Sequence, residues 1–120
     1  MFSEIDTKNA GAVRDEVIRL YRDSFSGASP NFITEMFEWT EDCFSGRYGD
    51  FQAIDAKYHD LEHTLQVTLC FARLLRGYHA AHAKPTLTPR AFELGLLAIL
   101  LHDTGYLKRK SDTEGTGAKY

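Results

Sequence analysis

The sequence predicts an all-α fold, and three observations support that prediction. Apolar residues recur at three- and four-residue steps in several segments, a pattern that places them on one face of a helix. None of the segments shows the apolar–polar alternation that is typical of a half-buried strand. Two pairs, Ser29-Pro30 and Thr88-Pro89, combine a good N-cap residue with a proline suited to the first turn of a helix.

The first two helices are predicted from their apolar stripes. The first should run from about Ala10 to Ser24, and Gly27 should end it. The second should follow Pro30 and reach about Phe44, before glycines at 46 and 49. The stripes consist of Val13, Val17, Leu20, Tyr21 and Phe25 on the first helix, and of Ile33, Met36, Phe37, Thr40, Cys43 and Phe44 on the second.

The third and fourth helices surround the segment Ala83-Lys84-Pro85. The third is predicted from about Asp60 to His82, and the fourth from Pro89 to about Asp103. The fourth is apolar almost all round, so we expect it to be central in the fold. Residues 108–120 are polar and predict a loop or a disordered tail. The predicted buried face of the third helix consists of Leu61, Leu65, Leu69, Ala72 and Tyr78, with Leu74 and Leu75 beside it.

Composition indicates one ordinary globular domain over residues 1–120. Apolar residues make up 43% and charged residues 26%, and the net charge of −3 argues against an electrostatic nucleic-acid binder. The longest apolar run, eleven residues including Glu93, is too short to span a membrane. The N-terminus carries no signal-peptide pattern, so we predict a cytoplasmic protein. Cys43 and Cys70 are interpreted as buried free thiols, with a single disulfide left open.

Histidines at the start of the predicted third helix and at the end of the predicted fourth helix carry the functional hypothesis. His59 and His63 are four residues apart and share a helix face, although such a pair is equally compatible with two surface histidines. His102 and Asp103 follow the apolar helix directly and are expected to be half buried. An imidazole and a carboxylate in that setting need partners, and a divalent metal shared with His63 would satisfy them. The alternative is a helix-end motif in which Asp103 bonds a histidine or a backbone N–H.

The segments Tyr58-His59-Asp60-Leu61-Glu62-His63-Thr64 and Leu100-Leu101-His102-Asp103-Thr104-Gly105 resemble the HD-domain superfamily of metal-dependent phosphohydrolases. The first is especially similar to the Tyr-His-Asn-x-x-His segment of cyclic-nucleotide phosphodiesterases. The resemblance implies an HD-domain-like helical bundle whose metal ligands are His63, His102 and Asp103. It also implies that His59 is the catalytic proton donor or a phosphate contact.

The same resemblance implies a divalent cofactor and a small phosphorylated substrate. The ion could be Mn²⁺, Fe²⁺, Co²⁺, Ni²⁺, Zn²⁺ or Mg²⁺, and Asp103 would bridge two ions in a binuclear site. The expected reaction is hydrolysis of a nucleotide or another phosphate ester by a metal-activated water. The basic run Lys108-Arg109-Lys110 is either a solvated turn or a phosphate-steering element.

Two departures from the family pattern qualify the resemblance. Tyr106 stands where one branch of the family has a lysine, and the second aspartate of the family has no good counterpart, since Asp112 lies in a glycine-rich loop. We therefore expect either an N-terminal fragment whose bundle lacks its C-terminal helices, which the polar tail favours, or a degenerate site. The uncovered fourth helix would then favour a homo-oligomer. The rival hypotheses are a non-catalytic HD-type nucleotide-binding or regulatory module and a purely structural helical bundle.

Overall fold

A computed structural model describes residues 4–45 and 61–102, and these two ranges contain four helices. The helices are α1 (Ala10–Ser24), α2 (Asn31–Ser45), α3 (Leu61–Ala80) and α4 (Pro89–Leu101). Neither range contains a strand, and the predicted all-α class is confirmed. No helix in these ranges has the length and apolar character needed to cross a membrane.

The helix ends follow the capping residues that the sequence indicates. The Thr88 side chain accepts a hydrogen bond from the Ala91 N–H at 3.1 Å, as an N-cap residue should. Helix α1 ends at Ser24, because its C-cap residue Phe25 already leaves the helical conformation with φ −132° and ψ 81°, and Gly27 turns the chain two residues later with a left-handed φ of +82°. Helix α3 ends at Ala80, two residues before the predicted His82. His82 itself has a φ of +52°, which a right-handed helix cannot include.

One hydrophobic core joins all four helices. The predicted stripe of α2 is buried at every position, and that of α1 is buried except at Phe25, which is half buried. Phe92 of α4 is fully buried, and its ring centre lies 5.2 Å from that of Tyr21 and 6.1 Å from that of Phe25. The core side chains are Ala10, Val13, Val17, Leu20, Tyr21, Ile33, Met36, Phe37, Leu65, Leu69, Ala72, Phe92, Leu96 and Leu100.

The prediction that α4 is central is wrong. Only Phe92, Leu96 and Leu100, at four-residue steps, are buried, while Leu94 is 47% exposed. An all-round apolar sequence does not reveal which side of a helix its neighbours cover. A similar error affects α3, where Leu74 is 66% exposed although it was expected beside the buried face.

Helices α3 and α4 form an antiparallel pair that determines the geometry of the candidate site. The chain leaves α3 at Ala80, turns through residues 81–88 and returns along α4. The helices approach closely at Gly95, where an added Cβ would lie 2.8 Å from the Phe71 ring. Because the two helices run in opposite directions, the start of α3 and the end of α4 lie at the same end of the bundle.

A buried hydrogen bond links α1 to α4. Tyr21 is 2% exposed, and its hydroxyl donates to Glu93 Oε2 at 2.8 Å. Burial, followed by the bond to this carboxylate, raises the pKa of Tyr21 to about 12. Glu93 also accepts a bond from Arg90 at 3.4 Å. The single charge within the apolar run of α4 is thus used as an acceptor for the core tyrosine.

The two cysteines are free and lie in different environments. Cys43 is buried, and burial together with the nearby Asp42 raises the pKa of its thiol to about 11. Its protonated thiol is therefore unreactive at neutral pH. Cys70 is exposed, so the prediction of a buried thiol is wrong there. A cysteine within an apolar stretch of a helix can still lie on the solvent side of that helix.

The free energy of unfolding should fall at acid pH because of Glu16. Its side chain is 5% exposed and accepts two bonds from Arg19, at 2.7 and 2.8 Å. The bonds from Arg19 lower the pKa of Glu16 despite the opposing effect of burial. We expect Glu16→Gln to lower the free energy of unfolding by roughly 1–2 kcal/mol at pH 7, since hydrogen bonds to charged groups are strong but Arg19 is half exposed.

The sign of the pH effect follows from the direction of that pKa shift. A carboxyl with a lowered folded-state pKa stabilises the fold above its unfolded-state pKa of about 4.3, and the contribution disappears as the pH falls through the folded-state pKa. Urea unfolding of the wild type and of Glu16→Gln at several pH values between 7 and 3 would therefore show a difference in free energy of unfolding that becomes smaller as the pH falls. Asp23→Asn is the matched control, because Asp23 bonds the same arginine from an exposed position. A difference between wild type and Glu16→Gln that stays constant with pH would contradict a lowered pKa of Glu16 in the folded protein.

Candidate metal centre

Two of the four residues predicted for the site lie close together. His63 is in the first turn of α3, and His102 is the C-cap residue of α4. The antiparallel α3–α4 pair brings these two ends together, and the two imidazole ring centres are 5.9 Å apart, with 54° between the ring planes. Residues separated by 39 positions in the sequence thus become neighbours through helix packing.

The backbone at the end of α4 orients the His102 ring. Its Nδ1 is hydrogen-bonded to the carbonyl oxygen of Ile99, one turn earlier. A carbonyl can only accept, so Nδ1 is the donor in this bond and Nε2 is the nitrogen left for a metal. Histidines that ligate metals typically donate their other ring N–H to a carbonyl or a carboxylate in this way. The end of α4 therefore orients the ring so that Nε2 is the nitrogen available to a metal.

The spacing of the two rings fits shared coordination of one cation. A zinc-like ion lies about 2.1 Å from a ligating ring nitrogen, which places it roughly 3.2 Å from the ring centre. Two ligating rings then have centres about 5 Å apart at a tetrahedral angle, and up to about 6.4 Å when they face each other across the ion. The observed 5.9 Å lies between these values, so a tetrahedral ion shared by the two rings would draw their centres together by about 1 Å.

The other predicted residues lie outside the described part of the chain. These are His59, Asp103, Asp112 and the basic run Lys108-Arg109-Lys110, together with Tyr106. Within residues 4–45 and 61–102, no group of three or more His, Cys, Asp or Glu side chains is placed to hold a metal ion. A site built on His63 and His102 thus depends on ligands from residues 46–60 or 103–120.

Comparison with known proteins identifies a family but gives it no activity. The chain matches the Npun_R2479-like family over residues 10–118. It belongs to that family. No curated protein and no solved structure matches the chain.

Burial at the site of this Npun_R2479-like protein differs from the sequence-based expectation. His102 was expected to be half buried, and this is wrong, since its side chain is exposed at the end of α4. His63 is intermediate in exposure. The error arises because α4 is also apolar on a side that the core does not cover, and Leu101, directly before His102, is itself 37% exposed. An exposed imidazole is accessible to a cation and to a substrate from solvent.

The Npun_R2479-like chain also has a pocket that the sequence did not reveal. It has a volume of about 380 Å³ and lies between α3 and the segment before α1. Thr7 joins the two, because its hydroxyl donates to Glu62 and accepts from Gln66, both at 3.4 Å. The lining consists of Thr7, Gln66, Leu69, Cys70, Arg73 and Leu74. In the sequence its α3 lining residues show only that they share one helix face, since they recur at three- and four-residue steps.

Proposed function

We propose that this protein is an HD-type, metal-dependent phosphohydrolase that hydrolyses a nucleotide or another phosphate ester. The observation that carries the proposal is the pairing of the His63 and His102 imidazoles, 5.9 Å apart. The bond from His102 Nδ1 to Ile99, which leaves Nε2 as the ligating atom, supports it further. Both residues come from the two segments that resemble the HD-domain superfamily.

In the proposed site, His63 and His102 supply neutral nitrogen ligands and Asp103 supplies a carboxylate. A mixed set of this kind suits Mn²⁺, Fe²⁺, Co²⁺, Ni²⁺ or Zn²⁺, with Mg²⁺ as a harder alternative. Such an ion, when bound, lowers the pKa of a coordinated water and polarises a phosphoryl oxygen. His59 would donate a proton to the leaving oxygen, a role that is worth roughly 10²–10⁴-fold in rate.

The pocket along α3 gives the rest of the substrate a place to bind. Gln66 lines it and lies one helical turn after His63, so the pocket and His63 both belong to the N-terminal half of α3. Its volume of about 380 Å³ is within the usual range for small-molecule sites. Leucine side chains suit an apolar or planar group, and Thr7 and Gln66 offer hydrogen bonds. This composition is compatible with a nucleotide base.

The proposal includes a cytoplasmic location. Both cysteines are free, which suits a reducing compartment. The hydrolysis of a small intracellular phosphate ester would agree with that location.

The test measures metal content and turnover on the same preparation. We expect the purified chain to bind Mn²⁺ and to hydrolyse bis(p-nitrophenyl) phosphate only when Mn²⁺ is present, with activity lost after chelation and restored by added metal. Metal binding without turnover of this and of nucleotide substrates would favour the non-catalytic regulatory module. A chain that binds none of the six candidate ions would contradict both functions and favour a structural helical bundle.

A further inference from the structure

Helix α4 carries an exposed apolar stripe on the side away from the core. The stripe consists of Ala91, Leu94, Ala98 and Leu101, and all four side chains are exposed. Leu94 is 47% exposed and Leu101 is 37% exposed. The spacings of three, four and three residues are those of the a and d positions of a heptad, which line the contact between two packed helices. The stripe therefore has the periodicity of a helix–helix contact.

The order of residues in the stripe is self-complementary. When two copies of α4 pack antiparallel about a two-fold axis level with residue 96, Leu94 of one copy faces Ala98 of the other, and Leu101 faces Ala91. Each large side chain then meets a small one, so the two helices can approach at the short end of the usual 8–10 Å interaxial range. A parallel pairing would instead place leucine against leucine and alanine against alanine.

Charge also favours the antiparallel arrangement. Antiparallel helices place the positive N-terminal end of each macrodipole beside the negative C-terminal end of the other. Arg90 precedes the stripe at the N-terminal end of α4, and its side chain is 66% exposed. In an antiparallel pair it would lie near the last carbonyl groups of the other α4, where a cation is stabilising. The stripe itself contains no charged residue that pairing would have to desolvate.

We propose that a second copy of this chain docks on the α4 stripe, forming a two-fold symmetric dimer through antiparallel α4 helices. The contact is isologous, since the same residues serve both partners. It is independent of the proposed hydrolase function. The stripe is much smaller than the roughly 800 Å² per partner of a standard interface, so we expect a dissociation constant in the micromolar range.

Sedimentation velocity on the full chain, from about 5 to 500 µM, tests the proposal. The mass should rise with concentration from 13.6 kDa toward twice that value. Leu94→Glu should keep the chain monomeric over the whole range, since it places two carboxylates in the contact. Leu74→Glu is the matched control, because Leu74 is a still more exposed leucine on α3, and it should leave the dimer intact.

Cysteine crosslinking tests the orientation. In a Cys70→Ser background, which removes the exposed native thiol, a mixture of Leu94→Cys and Ala98→Cys chains should form the mixed disulfide preferentially. Circular dichroism of each variant checks that the helices are retained. The proposal is overturned by a wild-type chain that stays monomeric at 500 µM, by a dimer that survives Leu94→Glu, or by crosslinks that are mainly between identical positions. A monomer would assign the stripe to another segment or another partner.

Discussion

Replacing His102 by alanine should weaken Mn²⁺ binding by at least about 100-fold. Loss of a residue that merely orients a ligand typically costs roughly 10–100-fold in affinity, so the loss of a ligand itself should cost at least as much as the upper end. His63→Ala should have an equally large effect, because the two rings lie 5.9 Å apart and are expected to share one ion. Isothermal titration with Mn²⁺, or electron paramagnetic resonance of the bound ion, measures this without any need for turnover.

The controls separate the site from general effects on the fold. His102 is exposed at the end of α4, so its replacement should leave the helical circular dichroism unchanged. His82→Asn removes an exposed histidine beyond the far end of α3, and asparagine tolerates the φ of +52° found there. That variant should bind Mn²⁺ like the wild type. Equal affinities for wild type, His63→Ala and His102→Ala would refute the metal centre.

Replacing Phe92 by alanine should lower the free energy of unfolding by about 3–5 kcal/mol. Phe92 is fully buried, and its ring packs against Tyr21 and Phe25 of α1. Truncation removes apolar burial and leaves a cavity at the point where α1 meets α4. Since the total stability of a small domain is commonly 5–15 kcal/mol, this variant should be close to unfolding at elevated temperature. Urea unfolding followed by circular dichroism provides the measurement.

The matched comparison uses an apolar side chain of similar type outside the core. Leu74 is 66% exposed, so Leu74→Ala should change the free energy of unfolding by less than about 0.5 kcal/mol. A loss below about 1 kcal/mol for Phe92→Ala would mean that α4 does not pack on α1 as described. An equal loss for both variants would contradict the described burial, because alanine is the better helix former at both positions and only the burial of the two side chains differs.

Local signals were sufficient for the helices and for half of the buried faces. The stripe of α2 was predicted residue by residue, because a three- and four-residue spacing defines a single face whatever the helix packs against. Thr88 also caps α4 as predicted, since capping depends on the residues next to it, whereas α1 ends at its C-cap residue Phe25, two residues before the predicted Gly27. The ion pair between Glu16 and Arg19 could have been found in the same way, from its spacing of three residues.

Other features could not be predicted from local patterns, because they depend on how the helices pack against one another. Leu94 and Leu74 look like core residues in the sequence, yet both are exposed, because burial depends on whether another helix lies opposite. The bond from Tyr21 to Glu93 joins residues that are 72 positions apart, and no local pattern pairs them. The pocket beside Gln66 exists only because the segment before α1 lies along α3.

By itself the sequence determined which segments are helical, where they begin and end to within about two residues, and which residue types could ligate a metal, since all of these depend on neighbours within about one helical turn. Only the tertiary structure decided that the rings of His63 and His102 lie close together and that one side of α4 is exposed. The physical reason is that both depend on the antiparallel packing of α3 against α4, which is set by non-local contacts such as that of Gly95 with Phe71.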